Sequence, residues 1–200
     1  MRLFGLTVVL ILMSVACWGT TLYSNGAISG AIGGAMINGG FEVSDSFVLS
    51  SDSFVTGVSN IGLWVYTPDL PETVDWVIST APDGGGTVEA FGAGSSLATS
   101  FFETVGNRDI YSSGFSTGSV ALSAGTYYLE LFNATSAGSG AVFWDVNGGS
   151  AAADTNGAPI TSEAFQVDGI APEPTSVVLS GLGLIALAGI ARLRRQQFQR

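Results

Sequence analysis

The chain has no histidine, its six basic residues are all arginines, and Cys17 is its one cysteine. Each absence removes a class of chemistry. Without histidine there is no Ser-His-Asp or Cys-His arrangement and no imidazole-bound zinc. Without lysine, Schiff-base and Ser-Lys schemes fall away. A lone cysteine cannot staple a domain, so a body of roughly 150 residues must be held by its core, a comfortable size for one sandwich or barrel. Basic residues are also scarce in the middle: between Thr20 and Ala171, Arg108 stands alone against 15 acids. Such a surface repels nucleic acid phosphates and anionic head groups and attracts divalent cations, which excludes nucleic acid as a partner.

What is present at the ends reads as addresses. Arg2 precedes an apolar run from Leu3 to Met13, and Ser14 and Ala16 are small residues placed for a cut after Ala16. Residues 1–19 therefore read as a secretory signal peptide. The rivals are an N-terminal anchor and a lipoprotein signal, the latter because Cys17 follows Ala16. At the other end, Val177–Ala191 carries no charge. As a helix it measures roughly 22 Å against a hydrocarbon core of about 30 Å, so residues 177–193 make a short membrane span. The arginines that follow hold the basic tail, residues 194–200, on the cytoplasmic side and leave the preceding body outside. A buried core helix fits poorly, because the segment is apolar on every face. The linker, residues 169–176, holds Pro172 and Pro174, which stop a helix from running back into the body.

The order Pro172-Glu173-Pro174, then Val177–Ala191, then Arg192, Arg194 and Arg195 closely resembles the PEP-CTERM sorting signal of Gram-negative bacteria. The resemblance covers the last 29 residues, and the extension Gln196–Arg200 is a small departure from it. It implies processing by exosortase, a membrane-embedded transpeptidase-like protease. A membrane-held intermediate would precede release to the cell surface or extracellular matrix, in a cell that makes exopolysaccharide.

Residues 20–40 are rich in glycine and read as a flexible leader or an irregular first strand. Residues 41–168 alternate with period two. Val74, Trp76 and Ile78 share one face, as do Tyr127, Leu129 and Leu131, and Val142, Trp144 and Val146. Ile61–Tyr66 and Glu163–Asp168 follow the same pattern. Clusters at 68–71, 82–86, 123–125 and 147–149 mark turns. The expected fold is all-β, an antiparallel β-sandwich of jelly-roll-like form with eight or more strands. The repeat Ser44–Val48 and Ser51–Val55 has a period of seven and reads as two arms of a hairpin turning near Ser50–Ser51. The stretches SDSFVLSSDSFVTGV, LSAGTYYLEL and VFWDVNGG resemble the choice-of-anchor β-sandwich domains found ahead of such tails, a likeness that implies a fold and no ligand.

For chemistry only a carboxylate pair remains, as in glycoside hydrolysis. Asp75 and Glu130 read instead as residues of a solvated outer face, and the chain is expected not to be an enzyme. Asp154-Thr155-Asn156-Gly157 and Asp145-Val146-Asn147-Gly148 offer oxygen ligands beside glycine turns, so calcium is the candidate ion, although plain Asx turns explain both runs. Trp76 and Trp144 share faces with aliphatic residues and read as core. Trp64 shares its face with Gly62 and Tyr66, which makes Trp64 and Tyr66 the candidate sugar contacts. The function expected is that of an exported structural or adhesive protein of the exopolysaccharide. A carbohydrate- or calcium-binding module is the alternative, and a glycosidase-like enzyme the weaker one.

Overall fold

Period-two alternation commits the middle of the chain to strands, and the computed structural model, which describes residues 19–30, 33–149 and 151–171, places them in two antiparallel sheets. The described residues contain no helix. The first sheet is built around the long strand β4 (Ser53–Tyr66). One edge of β4 is paired along its length by β8 (Arg108–Leu122), which in turn pairs with β7 (Ala98–Val105). The other edge is shared. Its first half pairs with β13 (Gln166–Ile170), which carries β1 (Thr20–Ser24). Its second half pairs with β10 (Val142–Asp145), which carries β2 (Gly34–Met36). The second sheet runs in the order β12 (Ala158–Ile160), β11 (Ala153–Thr155), β3 (Glu42–Leu49), β9 (Gly125–Ser136), β5 (Pro71–Ser79), β6 (Val88–Ser96).

The inner faces of the two sheets form one core. Val43 and Phe47 of β3, Val74, Trp76 and Ile78 of β5, and Leu129 and Leu131 of β9 meet Leu63 of β4, Trp144 of β10 and Phe165. In β5, β9 and β10 these are the faces the alternation marks as apolar. Phe165 joins Phe47 and Trp144 through edge-on ring contacts. Trp144 Nε1 donates to the Ala164 carbonyl at 2.9 Å, so the one polar atom of this buried indole is paired.

Within residues 20–40, Thr20–Ser24 forms a strand that pairs with β13, so the sheet begins before residue 41. The hairpin expected of the seven-residue repeat does not form. The chain does turn at Ser50–Asp52, but β3 and β4 then lie in different sheets. Consequently Phe47 is buried in the core and Phe54 faces outward. The same crossing recurs beside it, between β8 and β9. Asp52 Oδ1 accepts from the Ala124 N–H at 2.9 Å and ties the two corners together. The signal segment with Cys17, and the tail from Pro172 to Arg200, lie outside the described residues. Among the described residues no helix is long and apolar enough to cross a membrane.

Candidate functional site

Trp64 is not the exposed platform that alternation suggests. It does face away from the main core, but it is only 4% exposed. Register sets Phe143 beside it, and the two rings stack with centroids 3.8 Å apart and planes 6° from parallel. The guanidinium of Arg108 lies 4.2 Å from the Trp64 ring centroid. Ile28, Ile110 and Ala164 close a second small core around the indole. Alternation tells which face a side chain takes, and says nothing of whether another segment covers that face. Tyr66 does remain 44% exposed, edge-on to both Trp64 and Phe143. The one cation of the body thus lies over aromatic faces, an arrangement worth about 0.5–2 kcal/mol.

The most exposed aromatic ring among the described residues lies elsewhere. Phe91 on β6 is 75% exposed and lines an open apolar groove of about 390 Å³ with Val88, Val77 and Phe132, beside Asp75 and the edge of Trp76. Trp76 belongs to the core, yet its Nε1 reaches out to donate to Ser95 Oγ at 2.9 Å. A Cβ at Gly92 would lie 2.5 Å from that nitrogen, so glycine lets β6 approach the indole. Asp75 is engaged: its Oδ1 accepts from the Gly94 N–H at 2.6 Å and its Oδ2 from Asn133 Nδ2 at 2.9 Å.

Two groups of carboxylates stand out. On the outer face of the second sheet, register aligns Asp154, Ser44 and Glu130 across β11, β3 and β9. Ser44 Oγ donates to Asp83 Oδ1 at 3.3 Å, which brings in the turn between β5 and β6. Glu130, expected on a solvated face, is only 4% exposed, because that turn folds over it. Gly84 sits there with φ of +62°, and a Cβ on it would come within 3.1 Å of Glu130 Oε2. Burial, then the neighbouring Glu42 and Asp83, push the Glu130 carboxyl up to about 7. Asp83 is raised by burial and by Asp154.

The second group is interior. Asp45 lies on the core face of β3 between Val43 and Phe47, and is fully buried. Its Oδ2 accepts from the Glu163 N–H at 2.7 Å, from Asn25 Nδ2 at 2.9 Å and from Ser162 Oγ at 3.1 Å. Glu163, opposite Val146 in an isolated bridge, is also fully buried. It alternates with Ala164, so it shares the inward side of Phe165. Both its carboxylate oxygens, and Asp45 Oδ1, are buried without a hydrogen-bond partner. Burial, then Asp45 and Asp145, raise the Glu163 carboxyl to about 9. Burial raises Asp45 to about 6 against the pull of its hydrogen bonds. Asp145 belongs to the outward side of β10, with its Oδ2 accepting from the Ser29 N–H at 3.0 Å, and burial lifts it to about 6. Sequence reasoning passed over Asp45 and Glu163. The signal available was their phase: each takes an apolar position in its strand's alternation.

The two runs read as calcium candidates behave as turns. Asn156 and Gly157 have φ of +49° and +82° and join β11 to β12 as a two-residue hairpin loop. Asn147 Oδ1 accepts from the Gly149 N–H at 2.7 Å, and its Nδ2 is hydrogen-bonded to the Asn25 carbonyl. Among the described residues, no three carboxylates are gathered closely enough to hold a metal ion by themselves. No protein-family model matches the chain, and no curated protein matches it either.

Proposed function

We propose that the chain is an exported, non-enzymatic protein of the cell surface or extracellular matrix, sorted by its PEP-CTERM-like tail through an exosortase and serving a structural or adhesive role in exopolysaccharide. The observation that carries this reading is the ordered tail: Pro172-Glu173-Pro174, the uncharged Val177–Ala191, then Arg192, Arg194 and Arg195. It begins with a signal peptide, passes through an inner-membrane intermediate, and ends with the tail removed. The placement of the chain ends supports it. Thr20 pairs with Gly169, so the first and last strands of the body lie side by side in one sheet. The rest of the jelly-roll-like sandwich is then free to face its surroundings. Deleting residues 181–200 is expected to send the protein into the periplasm or medium, read by cell fractionation and immunoblotting. Unchanged retention at the surface refutes the sorting role.

One observation favours polysaccharide binding as a second reading: the open groove at Phe91. An exposed ring beside Asp75 suits stacking against a sugar ring, and Trp76 beneath the groove reports occupancy. Titration with the native exopolysaccharide is expected to change tryptophan emission, and Phe91→Ala to remove the change. A response that survives Phe91→Ala rejects this groove as the site. Neither reading includes hydrolysis, so no reducing ends should be released.

A further inference from the structure

Asp45 of β3 meets Glu163, which lies in the segment leading into β13, within a body whose single cation is stacked on Trp64. The hydrogen-bond account around them does not close. Asn25 Nδ2 faces three acceptors: Asp45 Oδ2 at 2.9 Å, Ser162 Oγ at 2.5 Å and the Glu163 carbonyl at 2.7 Å. An amide nitrogen carries only two hydrogens. Three further buried oxygens, Asp45 Oδ1 and both of Glu163, make no hydrogen bond. Acceptors therefore outnumber donors around these buried carboxylates, a shortage that either a proton on Glu163 or a bound cation relieves.

We infer that a divalent cation of the calcium type binds between the sheets, held by Asp45 Oδ1 and the Glu163 carboxylate. Two carboxylates balance a double charge, which removes the cost of burying them as anions. All donors present are oxygens, the preference of a hard cation, and no nitrogen or sulfur ligand stands by to favour a transition metal. Ser162 Oγ adjoins the site, and turning the Asn25 amide would offer its oxygen in place of its nitrogen. Calcium accepts six to eight oxygens in irregular geometry, and Asp45 Oδ2 and the Glu163 carbonyl already converge on the Asn25 amide beside it. The ion would pin the 162–165 segment, which leads into β13 of the first sheet, to β3 of the second. This site is separate from both glycine-turn runs, and it requires only two carboxylates rather than three.

The test uses the full-length protein in mild detergent, with calcium chloride alone as the probe and magnesium chloride and EGTA as comparisons. Calcium is expected to raise Tm by several degrees over EGTA, and more than magnesium does. Terbium should bind at one ion per chain with emission sensitised by Tyr23, whose hydroxyl donates to Asn25 Oδ1 at 3.1 Å. Glu163→Gln is expected to abolish the calcium shift, while Glu130→Gln on the outer face retains it. A wild-type Tm equal in calcium and EGTA overturns the inference, as does a shift that survives Glu163→Gln. Should Glu163→Gln not fold, Asp45→Asn and the wild-type terbium stoichiometry decide, and failure to saturate at one site counts against it.

Discussion

At the scale of single residues, the chain gathers acids where no base can neutralise them. Glu130 is the clearest case for titration. Its carboxyl is raised to about 7 by burial and then by Glu42 of β3 and Asp83 of the β5–β6 turn, with Asp154 of β11 close to Asp83. The folded state therefore holds a proton that the unfolded chain releases near 4.5. The resulting stabilisation is full below that value and is lost as pH rises through 7. In EGTA, Tm should be higher at pH 5 than at pH 8. Glu130→Gln should raise Tm at pH 8 and shrink the difference. Asp45, Asp145 and Glu163, raised in the same direction, account for what remains. A slope identical to wild type in Glu130→Gln would refute the assignment.

At the scale of elements, the repeat offers a controlled comparison. Ser-Asp-Ser-Phe-Val occurs twice, yet Phe47 points into the core from β3 and Phe54 points outward from β4. Phe47→Ala should cost about 3–5 kcal/mol, by loss of transfer energy and creation of a cavity. Phe54→Ala should change stability by about 0.5 kcal/mol or less. Chemical denaturation of the two variants checks this, and equal costs would show that the two phenylalanines share one environment. The same pair marks how far local pattern reaches. The inward faces of β5, β9 and β10 were legible, because period two needs only neighbouring residues. Whether a turn closes a hairpin or crosses between sheets depends on partners far along the chain, and β3 pairs with β9 and β11 rather than with β4. Trp64 and Glu130 were misplaced for a related reason: strand phase sets direction, while cover comes from Phe143 and Arg108 in one case and the β5–β6 turn in the other. Asp45 and Glu163 were legible only as acids in apolar phase, a signal that alternation counts as noise.

At the scale of the molecule, nearly all the charge of the body has one sign, while the other arginines sit at the two ends of the sequence. Composition alone showed that division. The pairing of β1 with β13 was not readable, since Thr20 and Gly169 meet across almost the whole body. That antiparallel pairing has a mechanical consequence. The entering and leaving ends of the chain lie at the same end of neighbouring strands, so tension applied between them peels β1 from β13 one rung at a time rather than shearing all rungs together. A molecule gripped at both ends yields at low force, whereas one anchored by a single end passes its load past that seam.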